Sequence, residues 1–200
     1  HLLQRLLDRE DLRREEVAAL FGRIMDGELA ESQIAALLVA LAMKGETTDE
    51  IAGAVEAMRA RVRGVPHAIA EVIDTCGTGG DGRGTFNIST AAAFVAAAAG
   101  ATVAKHGNRA VSSRSGSADL LVALGLPVEV APATSGRQLE EIGIAFLFAP
   151  AHHPATRAVV PVRRALGVRT IFNLLGPLTN PAAARRQLIG VYARDRVEPV

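Results

Sequence analysis

Residues 74–124 read DTCGTGGDGRGTFNISTAAAFVAAAAGATVAKHGNRAVSSRSGSADLLVAL. Glycines, hydroxyls and cations are concentrated in this stretch of the chain. Glycine lacks a Cβ, so backbone N–H groups in a glycine loop can approach phosphate oxygens closely. A helix that begins at Ser89 or Thr90 would direct its positive end at the same anion. Lys105 follows at the end of the next predicted strand. The stretch therefore predicts a phosphate-binding site.

Short β-like runs alternate with helical runs through this stretch and beyond it. Strands are predicted over 71–75, 102–105, 128–130, 145–148 and 188–192, and helices from Ser89, from about Ser117, over 135–141 and over 155–166. This alternation predicts crossover units and a mainly parallel sheet. Ligands of such sheets bind beyond the carboxyl ends of the strands, where the glycine loop and Lys105 both fall.

Residues 2–63 have a helical period instead. Apolar residues share one helix face over 17–24, 34–41 and 51–62, Gly27 and Gly45 end helices, and Thr47 with Glu50 forms a capping box. We therefore predict an α/β protein with a small all-helical domain over 1–65 and a larger α/β domain over 66–200. We expect part of 150–175 to pack with the helical domain, and the α/β domain to be incomplete at its C-terminal end.

Composition excludes several classes of protein. The net charge is +1, from 22 basic and 21 acidic residues, which argues against a nucleic-acid surface. The single cysteine, Cys76, excludes an internal disulfide and a thiolate zinc site. The longest nearly apolar run, 91–104, is shorter than the roughly 18 residues that a membrane-spanning helix needs. We expect a cytoplasmic protein without a membrane partner.

Two other glycine-rich motifs fit this loop less well. Gly77, Gly79 and Gly82 satisfy G-x-G-x-x-G, but residues 83–88 separate them from the helix start. Lys105 stands where a dinucleotide site places an acidic residue that binds the ribose. No lysine follows Gly84, so the Walker pattern fails as well.

Asp81 is a carboxylate inside the predicted phosphate loop. At roughly 5 Å from a phosphate charge it would cost about 3 kcal/mol at an effective dielectric near 20. A Mg²⁺ that bridges diphosphate oxygens, held by the Ser89 hydroxyl or through water, would cancel this repulsion. Asp81 could equally cap a backbone turn.

Other polar residues also allow two interpretations. Asn87 could bind a ribose or diphosphate oxygen or cap the helix locally, and Lys105 and Arg109 could line a site or be solvated cations. The serines near a second helix start could form an anion nest or a plain cap; they are Ser112, Ser113, Ser115 and Ser117. Adjacent His152 and His153 do not have the helical spacing of metal ligands. One arginine among Arg163, Arg164 and Arg169 points inward, and composition alone does not choose it.

Four ordered blocks resemble the anthranilate phosphoribosyltransferase family. They are GTGGDG at 77–82, FNIST at 86–90, KHGNRAVSSRSGSADLL at 105–121 and IFNLLGPLTNPA at 171–182. The resemblance extends over the helical part as well, including DGELAESQIAALLVALAMKGET at 26–47. Four blocks with intact spacing are far more specific than a single glycine motif.

By this resemblance the protein would transfer the phosphoribosyl group of 5-phosphoribosyl 1-diphosphate to the amine of anthranilate, in tryptophan biosynthesis. The residues that would hold phosphoribosyl diphosphate are Gly77, Thr78, Gly79, Gly80, Asp81, Thr85, Asn87, Ser89, Thr90, Lys105 and Ser117. Those that would line the anthranilate site are Gly77, His106, Asn108, Arg163 and Gly176. Ser89 would contact Mg²⁺, the implied cofactor, and Lys105 would stabilise the leaving diphosphate.

The resemblance also implies a homodimer formed through the helical domain, with the substrates between the two domains. Family chains continue beyond the position of Val200 and supply an Asp-Glu pair for further Mg²⁺, so we expect weak or absent turnover from these 200 residues. Two alternatives stay open. One is a nucleoside phosphorylase of similar architecture, and the other is a non-catalytic dinucleotide-binding or dimerisation module.

Overall fold

The computed structural model describes residues 1–79, 86–110 and 115–200. Predicted site residues Gly80, Asp81 and Thr85 lie outside the described residues, as do Ser112 and Ser113 of the serine cluster. The chain divides into two compact units. The first, the helical unit, comprises His1–Val62, His153–Thr179 and Asp195–Val200, and the second, the sheet unit, comprises Arg63–His152 and Asn180–Arg194.

The elements in chain order are α1 (Leu2–Leu7), α2 (Arg14–Met25), α3 (Glu31–Lys44), α4 (Thr48–Arg59), β1 (Ile73–Gly77), α5 (Ile88–Ala98), β2 (Val103–Gly107), α6 (Ser117–Ala123), α7 (Pro132–Ile142), β3 (Ile144–Phe148), α8 (Ala149–His152), α9 (Val160–Leu166), α10 (Phe172–Leu178) and β4 (Arg186–Gly190). Short 3₁₀ turns occupy Pro154–Ala158 and Arg194–Arg196. None of the helices in the described part of the chain is long and apolar enough to cross a bilayer.

The helical unit buries the apolar faces that the sequence period predicts. Phe21, Ile24, Leu38 and Leu41 are fully buried, and the Phe21 ring lies 5.4 Å from that of Phe172 between centroids. Burying such side chains contributes about 1.5–3 kcal/mol each, which is the main source of stability for helices of this length.

A capping box begins α4, as predicted. The Glu50 N–H donates to Thr47 Oγ1 over 3.3 Å, and the Thr47 N–H donates to Glu50 Oε2 over 2.9 Å. The Glu50 carboxylate is fully buried and also accepts from Lys44 Nζ over 3.0 Å and from the Leu12 N–H over 2.9 Å. Glu50 therefore ties three segments of the helical unit together.

The sheet unit contains, within the described residues, four parallel strands in the order β3-β2-β1-β4. This confirms the predicted parallel sheet. The strand predicted over 128–130 is wrong: no strand forms there, and Val128 instead packs against Ala118, Leu121 and Phe148. Val128 is apolar because it lies in a connecting segment whose side chains are buried. A short apolar run looks the same in such a segment and in a buried strand, so the sequence does not distinguish them.

The register of β1 and β2 decides which side chains share a face of the sheet. Ile73 is aligned with Val103, so side-chain alternation places Thr75 and Lys105 on one face and Asp74 and His106 on the other. The Thr75 hydroxyl donates to the Ser89 carbonyl of α5 over 2.7 Å, so α5 covers the first face. Ala104 packs on the second face in a cluster with Leu139 of α7.

Candidate functional site: the carboxyl edge of the sheet

The loop after β1 starts with glycines that the backbone geometry requires. A Cβ at Gly77 would lie 3.1 Å from the Gly190 carbonyl oxygen of the neighbouring strand β4. Gly79 has a φ of +66°, a left-handed conformation that favours glycine. Since the carboxyl ends of parallel strands share one edge, the ends of β1 and β2 meet here.

Lys105 is buried at this edge. It is only 3% exposed, and its Nζ donates to the Thr75 carbonyl over 2.6 Å and to Ser89 Oγ over 3.1 Å. Burial lowers the pKa of Lys105, and the negative charge of Asp74 opposes this shift. Lys105 is therefore not the solvated cation of the alternative interpretation.

The first turns of α5 and α6 come together beside Lys105. Thr90 Oγ1 donates to Ser117 Oγ over 2.9 Å. Asn87 occupies the N-cap position of α5 without a side-chain cap bond, and its Nδ2 donates to the Gly116 carbonyl over 3.1 Å. The interpretation of Asn87 as a local cap is therefore wrong. The structure gathers Asn87, Ser89, Thr90, Lys105 and Ser117 into one polar group.

Asp119 joins the two ends of the segment between β2 and α6, and sequence reasoning missed it. Its Oδ2 accepts from the Ala110 N–H over 2.8 Å and from the Gly116 N–H over 2.9 Å. These backbone donors hold the pKa of Asp119 below its ordinary value. Arg109 lies 3.4 Å from Asp119 Oδ1 and stacks over the Phe148 ring at 5.6 Å, so it supports this segment. An acidic residue in the first turn of a predicted helix was the available signal.

A buried carboxylate network on the opposite face of the sheet was also missed. Asp74 is 1% exposed, and its Oδ1 accepts from the His106 N–H over 3.1 Å. Its Oδ2 accepts from Asn180 Nδ2 over 2.8 Å and from Gln187 Nε2 over 3.4 Å. Burial raises the pKa of Asp74, against the opposing effect of the Asn180 and His106 donors and of the Lys105 charge. A carboxylate inside a predicted strand was the signal, because buried strands rarely carry one without a partner.

The remaining predicted residues of the sheet unit have the following positions. Thr78 Oγ1 accepts from the Tyr192 N–H over 3.0 Å, which ties the end of β1 to the segment after β4. His106 is buried on the Asp74 face, and Asn108 is exposed with its Oδ1 accepting from the Arg109 N–H over 2.8 Å.

Two predicted residues of the anthranilate site belong to the helical unit. The Arg163 guanidinium lies 5.5 Å from the centre of the Phe172 ring. Burial lowers the pKa of Arg163, and no charged partner among the described residues opposes this shift. Gly176 lies in α10, where its carbonyl accepts from the Thr179 N–H over 3.3 Å. The structure thus presents Arg163 as a half-buried cation stacked on an aromatic ring.

Two family models cover nearly the whole chain. Residues 69–200 match the glycosyl transferase family, a/b domain, and residues 1–62 match the glycosyl transferase family, helical bundle domain. The chain belongs to this glycosyl transferase family. Membership agrees with the helical and parallel-sheet architecture described above.

Two relatives with high identity carry the same name. An anthranilate phosphoribosyltransferase of Anaeromyxobacter sp. (strain Fw109-5) is 62% identical over 95% of this chain and 56% of its own length. One of Myxococcus xanthus is 57% identical over 98% of this chain and 58% of its own. The chain therefore spans less than two thirds of the length of these relatives.

Solved structures agree with the fold. Anthranilate phosphoribosyltransferase from Thermus thermophilus superposes with a TM-score of 0.93 at 50% identity, over 98% of this chain and 60% of its own. The Saccharomyces cerevisiae enzyme in complex with PRPP and Mg superposes with a TM-score of 0.89 at 30% identity, over 98% and 59%. The yeast enzyme with 4-fluoroanthranilate gives 0.83 at 27% identity, over 98% and 57%.

Proposed function

We propose that this chain is the phosphoribosyl-diphosphate-binding part of an anthranilate phosphoribosyltransferase, which transfers phosphoribosyl to the amine of anthranilate and releases diphosphate. The observation that carries the proposal is the polar group around Lys105. It combines a buried ammonium, three hydroxyls and the start of α5 at the carboxyl edge of a parallel sheet. The names of the relatives support the same reaction.

Lys105 is suited to bind the diphosphate. Within the described part of the chain, Thr75 and Ser89 use two of its three N–H donors, which aims the ammonium and leaves the third for a substrate oxygen. A fixed cation loses little freedom on binding and remains in place as negative charge grows on the leaving group. The Ser117 hydroxyl accepts from Thr90, so its own hydrogen can be donated to a phosphate or ribose oxygen. The positive end of the α5 dipole favours an anion at the same place.

The residues present fit a magnesium ion that enters the site bound to the phosphates of the substrate, rather than an ion that protein side chains alone would hold. The described residues contain no group of three or more acidic, histidine or cysteine side chains that could hold a metal. Ser89 Oγ accepts from Lys105, so a lone pair stays available for a hard cation. Mg²⁺ is commonly bound by substrate phosphates, waters and one or two protein oxygens, so Ser89 would be its ligand here. When bound, the ion would neutralise charge on the departing diphosphate.

Arg163 is the proposed partner of the anthranilate carboxylate. An arginine is planar and donates two parallel N–H bonds to a carboxylate, and Phe172 limits its orientation by stacking. Burial makes an unpaired charge costly, and Arg163 has no charged partner among the described residues, so an incoming carboxylate would gain more here than at the surface. We also propose Gly77, His106, Asn108 and Gly176 for this substrate, by match to the family motifs.

The chemistry needs no strong general base from these residues. Breaking the C–O bond at the anomeric carbon leaves positive charge on the ribose, and an aromatic amine can attack such a cation directly. Catalysis would then come from positioning and from stabilisation of the leaving diphosphate by Lys105 and backbone N–H groups.

Calorimetric titration tests the proposed function. We expect the protein to bind 5-phosphoribosyl 1-diphosphate with excess Mg²⁺, and to bind neither NAD nor thymidine with phosphate under the same conditions. Those two ligands represent the dinucleotide-binding and nucleoside phosphorylase alternatives. Binding of NAD with no response to phosphoribosyl diphosphate would refute the proposal.

We also propose that the protein forms a homodimer through the helical unit. Leu7 of α1 and Met43 of α3 are 62% and 71% exposed, and large apolar side chains on neighbouring helices favour an interface. Sedimentation equilibrium should give a dimer mass, and Leu7→Glu with Met43→Glu should reduce it to that of a monomer. A monomer in the unchanged protein would contradict the proposal.

A further inference from the structure

We propose that Asp74, held by Asn180, is the positioning residue of the diphosphate site: from the opposite face of the sheet it fixes the strands that aim the Lys105 ammonium. This inference rests on the proposed function, because it assigns Lys105 to the diphosphate. The inference concerns the residues that fix the position of Lys105, and it does not concern the identity of the substrate.

The placement of the two charges is the first argument. Thr75 and Lys105 share the face that α5 covers, whereas Asp74 lies on the other face, and both charged side chains are almost completely buried. Among the described residues, Lys105 Nζ donates to two neutral groups, the Thr75 carbonyl and Ser89 Oγ. Among the described residues, Asp74 is the carboxylate whose charge acts on it. A buried cation is disfavoured unless an opposite charge compensates it, and the charge of Asp74 offsets part of this cost for Lys105.

The direction of the hydrogen bonds around Asp74 is the second argument. Asn180 Oδ1 accepts from the Ala182 N–H over 2.8 Å, so its Nδ2 must be the group that donates to Asp74 Oδ2 and to the Ala104 carbonyl, each over 2.8 Å. The His106 N–H donates to the other oxygen of Asp74. Each of these partners, and Gln187 Nε2 as well, is a donor, so the NH₂ group of an amide in place of the carboxylate would face another N–H group.

The third argument is that the hydrogen bonds of Asp74 connect two strands and a residue distant in the chain. Asp74 belongs to β1, His106 to β2, and Asn180 comes 106 positions after Asp74 in the chain. The carboxylate thus fixes the two strands on which the Lys105 site is built. Movement of β2 against β1 would carry Lys105 away from Thr75 and Ser89, whose hydrogen bonds aim its ammonium.

A double-mutant cycle tests the inference. We would measure the affinity for 5-phosphoribosyl 1-diphosphate with excess Mg²⁺ by calorimetry for the unchanged protein, Asp74→Asn, Lys105→Met and the double variant. Asp74→Asn removes a negative charge, so simple electrostatics predicts tighter binding of an anion. The proposed role predicts the opposite, about tenfold weaker binding, because coupled neighbours interact by a comparable factor. In the Lys105→Met background, Asp74→Asn should cause no further weakening.

The outcomes separate the hypotheses. Tighter or unchanged binding by Asp74→Asn overturns the inference, and so does equal weakening in both backgrounds, which indicates a general structural role. Absence of binding by the unchanged protein overturns the proposed function and the inference with it. If Asp74→Asn does not fold, Asn180→Ala keeps the carboxylate but removes its donor. That variant should also weaken binding only when Lys105 is present, and equal weakening in both backgrounds overturns the inference.

Glu50→Gln is the matched control. Glu50 is a completely buried carboxylate that accepts from a lysine, Lys44, over 3.0 Å, but it lies in the helical unit. We expect this variant to lower the thermal midpoint and leave the affinity for phosphoribosyl diphosphate unchanged. A matching loss of affinity in Glu50→Gln would show that lost stability alone explains the Asp74 result, and would overturn the inference.

Discussion

Gly116→Ala should distort the start of α6 and weaken phosphoribosyl diphosphate binding. A Cβ at Gly116 would lie 2.4 Å from the Ala110 nitrogen, 2.5 Å from the Arg109 carbonyl carbon and 2.8 Å from the Asn108 carbonyl oxygen. All three are backbone atoms, so no side chain can rotate to make room. The φ of Gly116 is −95°, which alanine adopts freely, so the effect is purely steric.

The magnitude follows from the required movement. Restoring the contact with the Ala110 nitrogen from 2.4 Å to an ordinary 3.4 Å needs a displacement of about 1 Å. That movement stretches the bonds from Asp119 Oδ2 to the Ala110 and Gly116 N–H groups, which now measure 2.8 and 2.9 Å. Overpacking costs about 1–3 kcal/mol and a weakened bond to a charged group about 1.5–3 kcal/mol. We therefore expect a loss of about 3 kcal/mol in the free energy of unfolding.

Binding should suffer as well, because Ser117 is the next residue and its hydroxyl accepts from Thr90 over 2.9 Å. A misplacement of about 1 Å can cost on the order of a hundredfold in a site that depends on positioning. We expect the affinity for phosphoribosyl diphosphate with Mg²⁺ to fall by at least about tenfold.

Urea unfolding and calorimetric titration measure the two effects. Gly64→Ala is the control, because a Cβ at Gly64 would meet its nearest atom, the Pro181 carbonyl oxygen, at an ordinary 3.7 Å. It should change the free energy of unfolding by no more than about 0.5 kcal/mol. If Gly116→Ala matched this control in stability and in affinity, the close approach of α6 to the end of β2 would not be needed, and the reasoning would be wrong.

Three further predictions concern single side chains. Lys105→Met should weaken calorimetric binding of phosphoribosyl diphosphate by about ten- to a hundredfold, since a charged hydrogen bond contributes about 1.5–3 kcal/mol; an unchanged affinity would remove Lys105 from the site. Arg163→Ala should weaken calorimetric binding of anthranilate in the presence of phosphoribosyl diphosphate and Mg²⁺, because the carboxylate loses its bidentate partner, and an unchanged affinity would argue for another role. Burial lowers the pKa of His152 in the folded state, against the effect of its hydrogen bond to the Arg63 carbonyl. The unfolded chain then binds more protons below about pH 6.5, so urea stability should fall as the pH drops through that range, and His152→Asn should reduce the slope. Equal slopes would contradict this assignment.

Local signals predicted much of the fold. The helical period of residues 2–63 and the strand–helix alternation beyond them depend on neighbours within one turn or one strand, which a sequence displays directly. The capping box of Thr47 and Glu50 is confirmed because its two partners are three residues apart. The strand predicted over 128–130 is wrong because burial of Val128 against α6 imitates the pattern of a buried strand.

The candidate site was predictable in part. Glycines and hydroxyls that flank predicted strands and helices identified the edge where Lys105, Ser89 and Thr90 meet. Asn87 donates to the Gly116 carbonyl instead of capping its own helix, and the residues around Asn87 do not indicate this. The acceptor of the Asn87 side chain depends on the distance between the starts of α5 and α6. Neighbouring residues in the sequence do not give this distance.

By itself, the amino-acid sequence determined the succession of elements and the chemical type of the site, because period, capping and motif spacing are short-range properties. Only the tertiary structure decided which charges compensate each other. Asp74 and Asn180 are 106 positions apart, yet they lie 2.8 Å apart between Oδ2 and Nδ2. From the other side of the sheet, the charge of Asp74 opposes the lowering of the Lys105 pKa by burial. Burial and charge pairing depend on how strands distant in sequence pack together. A charge that this packing removes from water is stabilised by the groups that the same packing places near it.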